Sequence, residues 1–193
     1  MESNLFSGIS TLGNDDILNV NGVAPKQDGV KVVMGPGTGL GAAFLCKSKF
    51  SDRHDVYPAE IGFNDWLPKS AQEVKIAEYV KKRDQTERVG INRMCRGSTL
   101  PMLYEFMVEN NPKQKSVFKG LDREITSKDV IDKSKSDKIC REAVNQFIKI
   151  YANKVSEICC QKLPYGGVYL VGGVTEGLKE NIQQEKLFLK TFE

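Results

Sequence analysis

Apolar positions along the chain follow two rhythms, and each change of rhythm marks an element. Leu5, Phe6, Ile9 and Leu12 have the spacing of one face of a short helix, broken by Gly13 and the polar "NDD" after it. Beyond the turn chemistry of "NGVAPKQDG", Val30, Val32, Val33 and Met34 form a β-branched run that suits a strand buried on both faces. Glycines interrupt it, and "AAFLCKSKF" at 42–50, apolar first and polar later, then suits a second strand. Helical spacing returns over 70–82, where Ser70 and Glu73 make a capping box and Val74, Ala77 and Val80 share a face. Another helix starts near 97–101, runs through "MLYEFMVEN" and is stopped by Asn111 and Pro112. A short helix and then a long one follow, the long one with Val144, Phe147, Ile148, Tyr151, Val155, Ile158 and Cys159 on one face, a core stripe. In "PYGGVYLVGGV" at 164–174 a turn leads into a strand, Val168 to Val171, that ends in paired glycines. The tail "TEGLKENIQQEKLFLKTFE" predicts helix to its last residues, and its stop inside an apolar pattern leads us to expect a chain that is cut there.

Composition narrows the class without naming a partner. At 193 residues, with 40% hydrophobic and 27% charged, the chain can bury one real core and is too apolar for disorder. No linker, repeat or low-complexity tract divides it, so one domain over 1–193 is expected. The net charge of +3 is slight and both signs are interspersed, which excludes a basic stripe tracking nucleic acid; "KSKSDK" at 133–138 reads as a solvated lead-in to the long helix. Five cysteines, an odd set with no CxxC pair, suit reduced thiols rather than a disulfide framework or a metal site. His54, the one histidine, stands between Arg53 and Asp55 and reads as an exposed loop residue, so a histidine-dependent nucleophile is not expected. No leader pattern and no run of membrane-spanning length is present, and a cytoplasmic protein is expected.

Candidate chemistry concentrates in "GPGTGLG", with Gly35, Gly37, Gly39 and Gly41 around Thr38. A Walker loop needs lysine and then a hydroxyl residue after its last glycine, and neither follows. A dinucleotide fingerprint can be drawn through Gly37, Gly39 and Ala42, with Glu60 at the expected distance of about 20 residues. That motif requires a helix to open at the loop, whereas the segment after it suits a strand and soon meets "SDRHD". What remains is a tight β-hairpin whose glycines let backbone N–H groups approach phosphate oxygens, with the Thr38 hydroxyl as an added donor. A hairpin turn with no ligand is the alternative; alternate glycines that clear side chains from one edge of the turn favour the ligand.

With those residues in place, "VVMGPGTGLGAAFL" resembles the phosphate motif of the bacterial-type glucokinases, members of the actin, Hsp70 and sugar-kinase superfamily. "YPAEIGFNDWLP" is similar to that family's Glu-Gly-Gly-His-x-Asp segment, "INRMCRGSTLPMLYEF" to its Glu-Arg-x-x-Ser-Gly-x-Gly-Leu segment, and "GGVYLVGGV" to its adenosine-binding strand and Gly-Gly turn, all in the family's order. The resemblance implies an α/β fold, the ribonuclease H-like (actin-like ATPase) large lobe in incomplete form, with a mixed sheet flanked by helices. It implies ATP phosphates at Gly35, Gly37, Thr38, Gly39 and Gly41, the nucleoside against Gly172 and Gly173, and Mg2+ bound mainly through the nucleotide phosphates. Glucose or a related hexose would meet Glu60, Asn92, Phe63 and Asp65; two carboxylate oxygens on Glu60 suit the two donors of a vicinal diol.

Two departures touch the sugar side. Phe63 stands where the family has a histidine, and could stack on a sugar face but accept no hydroxyl; Asn92 stands where it has a second glutamate, while Asp65 keeps the acidic position. A hydroxyl acceptor also needs a general base, which the family keeps in an Asn-Asp pair just before a helix resembling residues 2–12. That places the catalytic aspartate, with the small lobe and its own phosphate loop, upstream of Met1, and the closing helices beyond residue 193. Asn14, Asp15 and Asp16 follow that helix and read as a turn that ends it. The resemblance therefore implies glucokinase chemistry, ATP-dependent phosphorylation of glucose at O6 at the start of glycolysis, with little or no turnover by the isolated chain. A non-catalytic nucleotide- or sugar-binding regulatory protein is the alternative; a sugar-responsive repressor fits less well, since neither a helix-turn-helix nor a cysteine-rich zinc motif is present.

Overall fold

The computed structural model describes residues 8, 13, 16–184 and 186–192; the helix expected over 1–12 lies outside the described residues but for Gly8. At the centre are the two strands expected around the glycines, β1 (Lys31–Pro36) and β2 (Leu40–Lys47). They pair antiparallel, Gly35 opposite Gly41 and Pro36 opposite Leu40, so that Gly37, Thr38 and Gly39 form the hairpin tip. The third strand, β3 (His54–Ala59), runs antiparallel to β2, and the fourth, β4 (Val168–Leu170), runs parallel to β1. Among the described residues this makes a mixed sheet in the order β3-β2-β1-β4. Period-two alternation sends Val32 and Met34 into the main core and Val33, with Ala43 and Leu45, into a smaller cluster. All three β1 residues are fully buried, as the β-branched run predicts.

β3 corrects the sequence expectation for His54. The turn ends one residue earlier, with Ser48 N–H donating to the Arg53 carbonyl at 3.0 Å, and His54 opens the strand opposite Lys47, half-buried. An edge strand tolerates the exposed Asp55 and Tyr57 and needs no N–H from Pro58, so neither hydrophobic alternation nor proline marks it against a loop. His54 Nε2 is buried without a hydrogen-bond partner, and burial, then Lys31 and Lys47, push its pKa down from the ordinary value.

Helices cover the core side. α1 (Ala71–Asp84) starts as predicted, Ser70 Oγ accepting the Glu73 N–H at 3.2 Å, but the reciprocal half of the box differs. Glu73 instead accepts the Lys69 N–H at 2.6 Å and the Gln146 amide at 2.9 Å, which makes it a buried anchor between helices. The buried face of α1 is accordingly Glu73, Ile76, Ala77 and Val80, and Val74 is exposed. The short α2 (Ile91–Met94) precedes α3 (Thr99–Glu109), which ends on Asn110 as the polar stop predicts. A Thr126 and Asp129 capping box opens α4 (Ser127–Lys133). There Arg123, then Thr126, hold the Asp129 carboxyl well below the usual carboxylate range.

α5 (Lys138–Lys162) buries Val144, Phe147, Ile148, Tyr151, Val155 and Ile158, with Cys159 at the margin, as its stripe predicts. All cysteines are free, and burial pushes Cys140 up to about 12 and Cys159 up to about 11, so neither is a ready thiolate. The tail departs from one continuous helix. It consists of α6 (Gly173–Gly177), α7 (Lys179–Gln184) and α8 (Leu187–Phe192), because Gly177 and the polar "QQEK" interrupt it and Lys186 adopts a φ of 48°. Phe188 of α8 still reaches the core, edge-on to Tyr151 at 5.9 Å between ring centroids.

Candidate functional site

β1 and β4 run parallel, so their carboxyl ends lie side by side, and there the glycine segments meet. The hairpin tip is held by its own backbone and by three other segments. Gly37 N–H donates to the Gly39 carbonyl at 2.8 Å, Leu40 N–H to Asn92 Oδ1 at 2.8 Å, and Gly97 N–H to the Gly37 carbonyl at 2.9 Å. Ser127 Oγ in turn donates to the Gly97 carbonyl at 2.6 Å. The Thr38 and Gly39 amides take no backbone or side-chain partner among the described residues, and Thr38 itself is exposed. A fixed tip with outward N–H groups is what an anion needs from backbone alone.

Space, not dihedral freedom, accounts for Gly35 and Gly39. None of Gly35, Gly37, Gly39 and Gly41 has a positive φ. A Cβ on Gly35 would lie 1.9 Å from the Val171 carbonyl oxygen, and one on Gly39 would lie 3.1 Å from Asn92 Oδ1. Gly35 thus lets β4 close against β1, and Gly39 lets Asn92 reach the tip. Gly172 differs: at a φ of 96° it ends β4 in a conformation that side chains rarely adopt, and a Cβ there would lie 3.3 Å from the Pro36 carbonyl oxygen. Gly172 and Gly173 are both exposed beside the hairpin.

A buried tyrosine pins this junction from below. Tyr151 Oη bonds to the Met34 carbonyl and to Thr175 Oγ1, each at 3.3 Å, tying α5 to β1 and α6. Burial drives its phenol far above the ordinary tyrosine range, so it stays a neutral donor. Cys95, also fully buried, is likewise pushed up by burial and offers no thiolate.

The candidate sugar side is a turn of different construction. Glu60 leaves β3 exposed, and Ile61–Phe63 form one 3-10 turn with Phe63 67% exposed. Asn64 and Trp66 pair with the 89–91 segment, Ile91 N–H donating to the Asn64 carbonyl at 2.8 Å and Trp66 N–H to the Val89 carbonyl at 2.9 Å. Arg88, which no local sequence signal singles out, organises the turn: its Nε pairs with Asp65 and its Nη2 donates to the Phe63 carbonyl at 2.6 Å. Asp65 is therefore engaged within the protein.

Asn92 joins the two sides. Its Oδ1 already accepts the Leu40 N–H, and a Cβ on Gly62 would lie only 2.1 Å from that same oxygen. The structure thus brings the hairpin, Asn92 and the Glu60 to Phe63 turn together, with Gly172 and Gly173 at the far edge. Of "GNDD", Asn14 and Asp15 lie outside the described residues; Gly13 and Asp16 form a turn, Asp16 N–H to the Gly13 carbonyl at 3.1 Å and Gly13 N–H to Asp16 Oδ2 at 3.0 Å. Among the described residues no three His, Cys, Asp or Glu side chains gather as a metal site, and no helix is long and apolar enough to cross a membrane.

The glucokinase family profile matches residues 4–193. The glucokinase of Nostoc sp. is 24% identical over 197 residues, covering 94% of this chain and 57% of its own length. The glucokinase crystal structure from an Antarctic psychrotroph superposes with a TM-score of 0.79 at 18% identity, over 97% of this chain and 55% of that one. A ROK-family glucokinase from Streptomyces griseus, solved in complex with glucose and AMPPNP, gives 0.60 at 14% identity, over 86% of this chain and 52% of that one. The chain spans about half the length of the curated relatives it matches. Its mixed sheet flanked by helices is the actin-like, ribonuclease H-like fold of these kinases, shorter than theirs.

Proposed function

The chain belongs to the glucokinase family, and on that premise we propose that its 193 residues form most of the large lobe of an enzyme that phosphorylates glucose at O6 with ATP. The observation that carries this reading is the junction where the rigid hairpin tip, Asn92 and the Gly172 turn meet at the carboxyl ends of β1 and β4. ATP phosphates would accept from the free Thr38 and Gly39 amides and the Thr38 hydroxyl, with Gly37 leaving room for their approach. The nucleoside would lie against Gly172 and Gly173, where no side chain intervenes. Magnesium would ride on the phosphates and neutralise charge there. Such an enzyme would work in the cytoplasm, at the entry of glucose into glycolysis, which suits free cysteines.

On the sugar side Glu60 would accept hydrogen bonds from the two hydroxyls of one diol, and Phe63 would cover an apolar sugar face. Asn92 would offer its amide N–H groups, its oxygen being committed to Leu40. Asp65, committed to Arg88, would shape the turn. The proton of the attacking hydroxyl needs a base, and no aspartate of 1–193 stands at the position that the family resemblance assigns to it. We therefore expect these residues alone to bind nucleotide and to turn over little or not at all. The replaced sugar contacts at Phe63 and Asn92 favour a second reading, a non-catalytic nucleotide- or sugar-binding regulator.

A coupled glucose phosphorylation assay on the purified chain, beside the same chain extended upstream in frame, separates these readings. Turnover by the extended form and none by the 193 residues is the expected result. A kinase-like rate from the 193 residues alone would sink the missing-base reading. An inactive extended form that still binds ATP would favour the regulator.

A further inference from the structure

A cavity of about 170 Å³ lies between the end of α1, the short α2 and the start of α3. On that scale roughly 10–15 Å³ holds one water, so the space admits a group much larger than a single solvent molecule. Three arginines line it, Arg83, Arg93 and Arg96, against one carboxylate, Asp84. Val80 and Met102 add apolar wall, and Ser98, which makes no side-chain cap for α3, adds a hydroxyl.

The internal pairing leaves cationic capacity unused. Arg93 Nη1 is bound to Asp84, and Arg83 Nη2 has a single contact of 3.4 Å to Glu105. Arg96 Nε is buried with no hydrogen-bond partner. A guanidinium carries five donors in a planar fork, matched to anions that present two or more oxygens together. Arg96, with no side-chain partner among the described residues, and Arg83, with one long contact, leave guanidinium donors that suit a compact, multiply charged oxyanion.

We infer that this cavity is a binding site for a phosphate group, free or carried as a small phosphomonoester, separate from the hairpin tip. Arg96 and Arg83 grip its oxygens, and Arg93 is held in place by Asp84. The site is linked to the tip through one residue: the peptide after Arg96 is Gly97, whose N–H holds the Gly37 carbonyl. A phosphate on Arg96 therefore bears on the hairpin without touching it. This inference does not depend on the glucose-phosphorylation reading.

Calorimetric titration of the 193-residue protein with inorganic phosphate, and separately with phenyl phosphate, at constant ionic strength tests it. Saturable binding of at least one probe is expected, weakened about tenfold or more in Arg96→Gln and in Arg83→Gln, as for loss of a charge-assisted pair. Arg83 is partly exposed and its variant should fold even where Arg96→Gln does not. Lys113→Gln, at an exposed lysine outside the cavity lining, should leave binding unchanged. Binding of phenyl phosphate alone assigns the site to a monoester, and binding of inorganic phosphate assigns it to the free ion. No saturation by either probe, unchanged affinity in both arginine variants, or loss of binding in Lys113→Gln would overturn the inference.

Discussion

The hairpin tip at 37–39 and the turn at 60–65 meet at one asparagine and are built on opposite plans. Around the tip, the donors are backbone amides and close approach fixes the geometry: β4 crowds Gly35, and Asn92 crowds Gly39. Around the turn, the candidate groups are side chains, Glu60 and Phe63, on an exposed surface held by an exposed Arg88 and Asp65 pair. The backbone site is restrictive where neighbours crowd it: a Cβ on Gly35 collides with main chain, and one on Gly39 presses on Asn92. A side-chain site tolerates many residues, because an exposed residue can change with little cost to folding. The two sides should therefore differ in what a substitution costs the fold.

The hardest test of that contrast is Gly35→Ala. Its Cβ would lie 1.9 Å from a main-chain oxygen of Val171, so β4 must move away from β1. That movement breaks the 3.0 Å bond from Val171 N–H to the Met34 carbonyl and disturbs the carbonyl that Tyr151 holds. Destabilisation of about 3 kcal/mol or more is expected in urea unfolding, the upper end for overpacking. Glu60→Ala, on the other side, should change stability by no more than about 0.5 kcal/mol. Comparable losses in the two variants would end the distinction between the sides.

Asn92 belongs to both sides, and a double-mutant cycle measures how tightly it joins them. In Gly62→Ala the new methyl collides with Asn92 Oδ1, a side-chain atom that can rotate away only by releasing the Leu40 N–H. About 1–2 kcal/mol should be lost, the cost of one part-buried donor left unpaired. Asn92→Ala alone should cost about as much, for the same amide. On that background Gly62→Ala meets no oxygen, so the two losses should fall short of additivity by about 1 kcal/mol. Additive losses, read by chemical unfolding, would mean that the turn and the hairpin are independent.

What was legible in the sequence follows the same division. The strand, glycine and strand order at 31–47 predicts the hairpin because period and glycine spacing are local signals, and the α5 stripe predicts its buried face for the same reason. Long-range pairing left no such trace. β3 is an edge strand with polar and proline positions, Glu73 anchors to Gln146 across 73 residues, and Arg88 reaches Asp65 across 23. Of the glycines at 35–41 and 172–173 only Gly172 has a positive φ, and Gly35 and Gly39 serve contacts with Val171 and Asn92 that no spacing within the loop reveals.

The smallest expected effect falls on the side-chain half. In the exposed pair of Arg88 and Asp65 the side chains are 63% and 59% accessible, so the attraction is screened and each long side chain gives up freedom to hold it. Arg88→Gln should therefore lower global stability by no more than about 1 kcal/mol. Locally the change is larger, since Arg88 also restrains the Phe63 carbonyl at 2.6 Å, and the turn's own amides rest on the 3.2 Å bonds from Phe63 N–H to the Glu60 carbonyl and from Asn64 N–H to the Ile61 carbonyl. Hydrogen exchange should quicken at Phe63 and Asn64 while the Gly37 and Leu40 amides keep their protection. Faster exchange at Leu40 as well would show that strain passes through Asn92, and that the side-chain half is as rigidly coupled as the backbone half. If only the turn loosens, side chains at 60–65 can be exchanged while the hairpin is left intact.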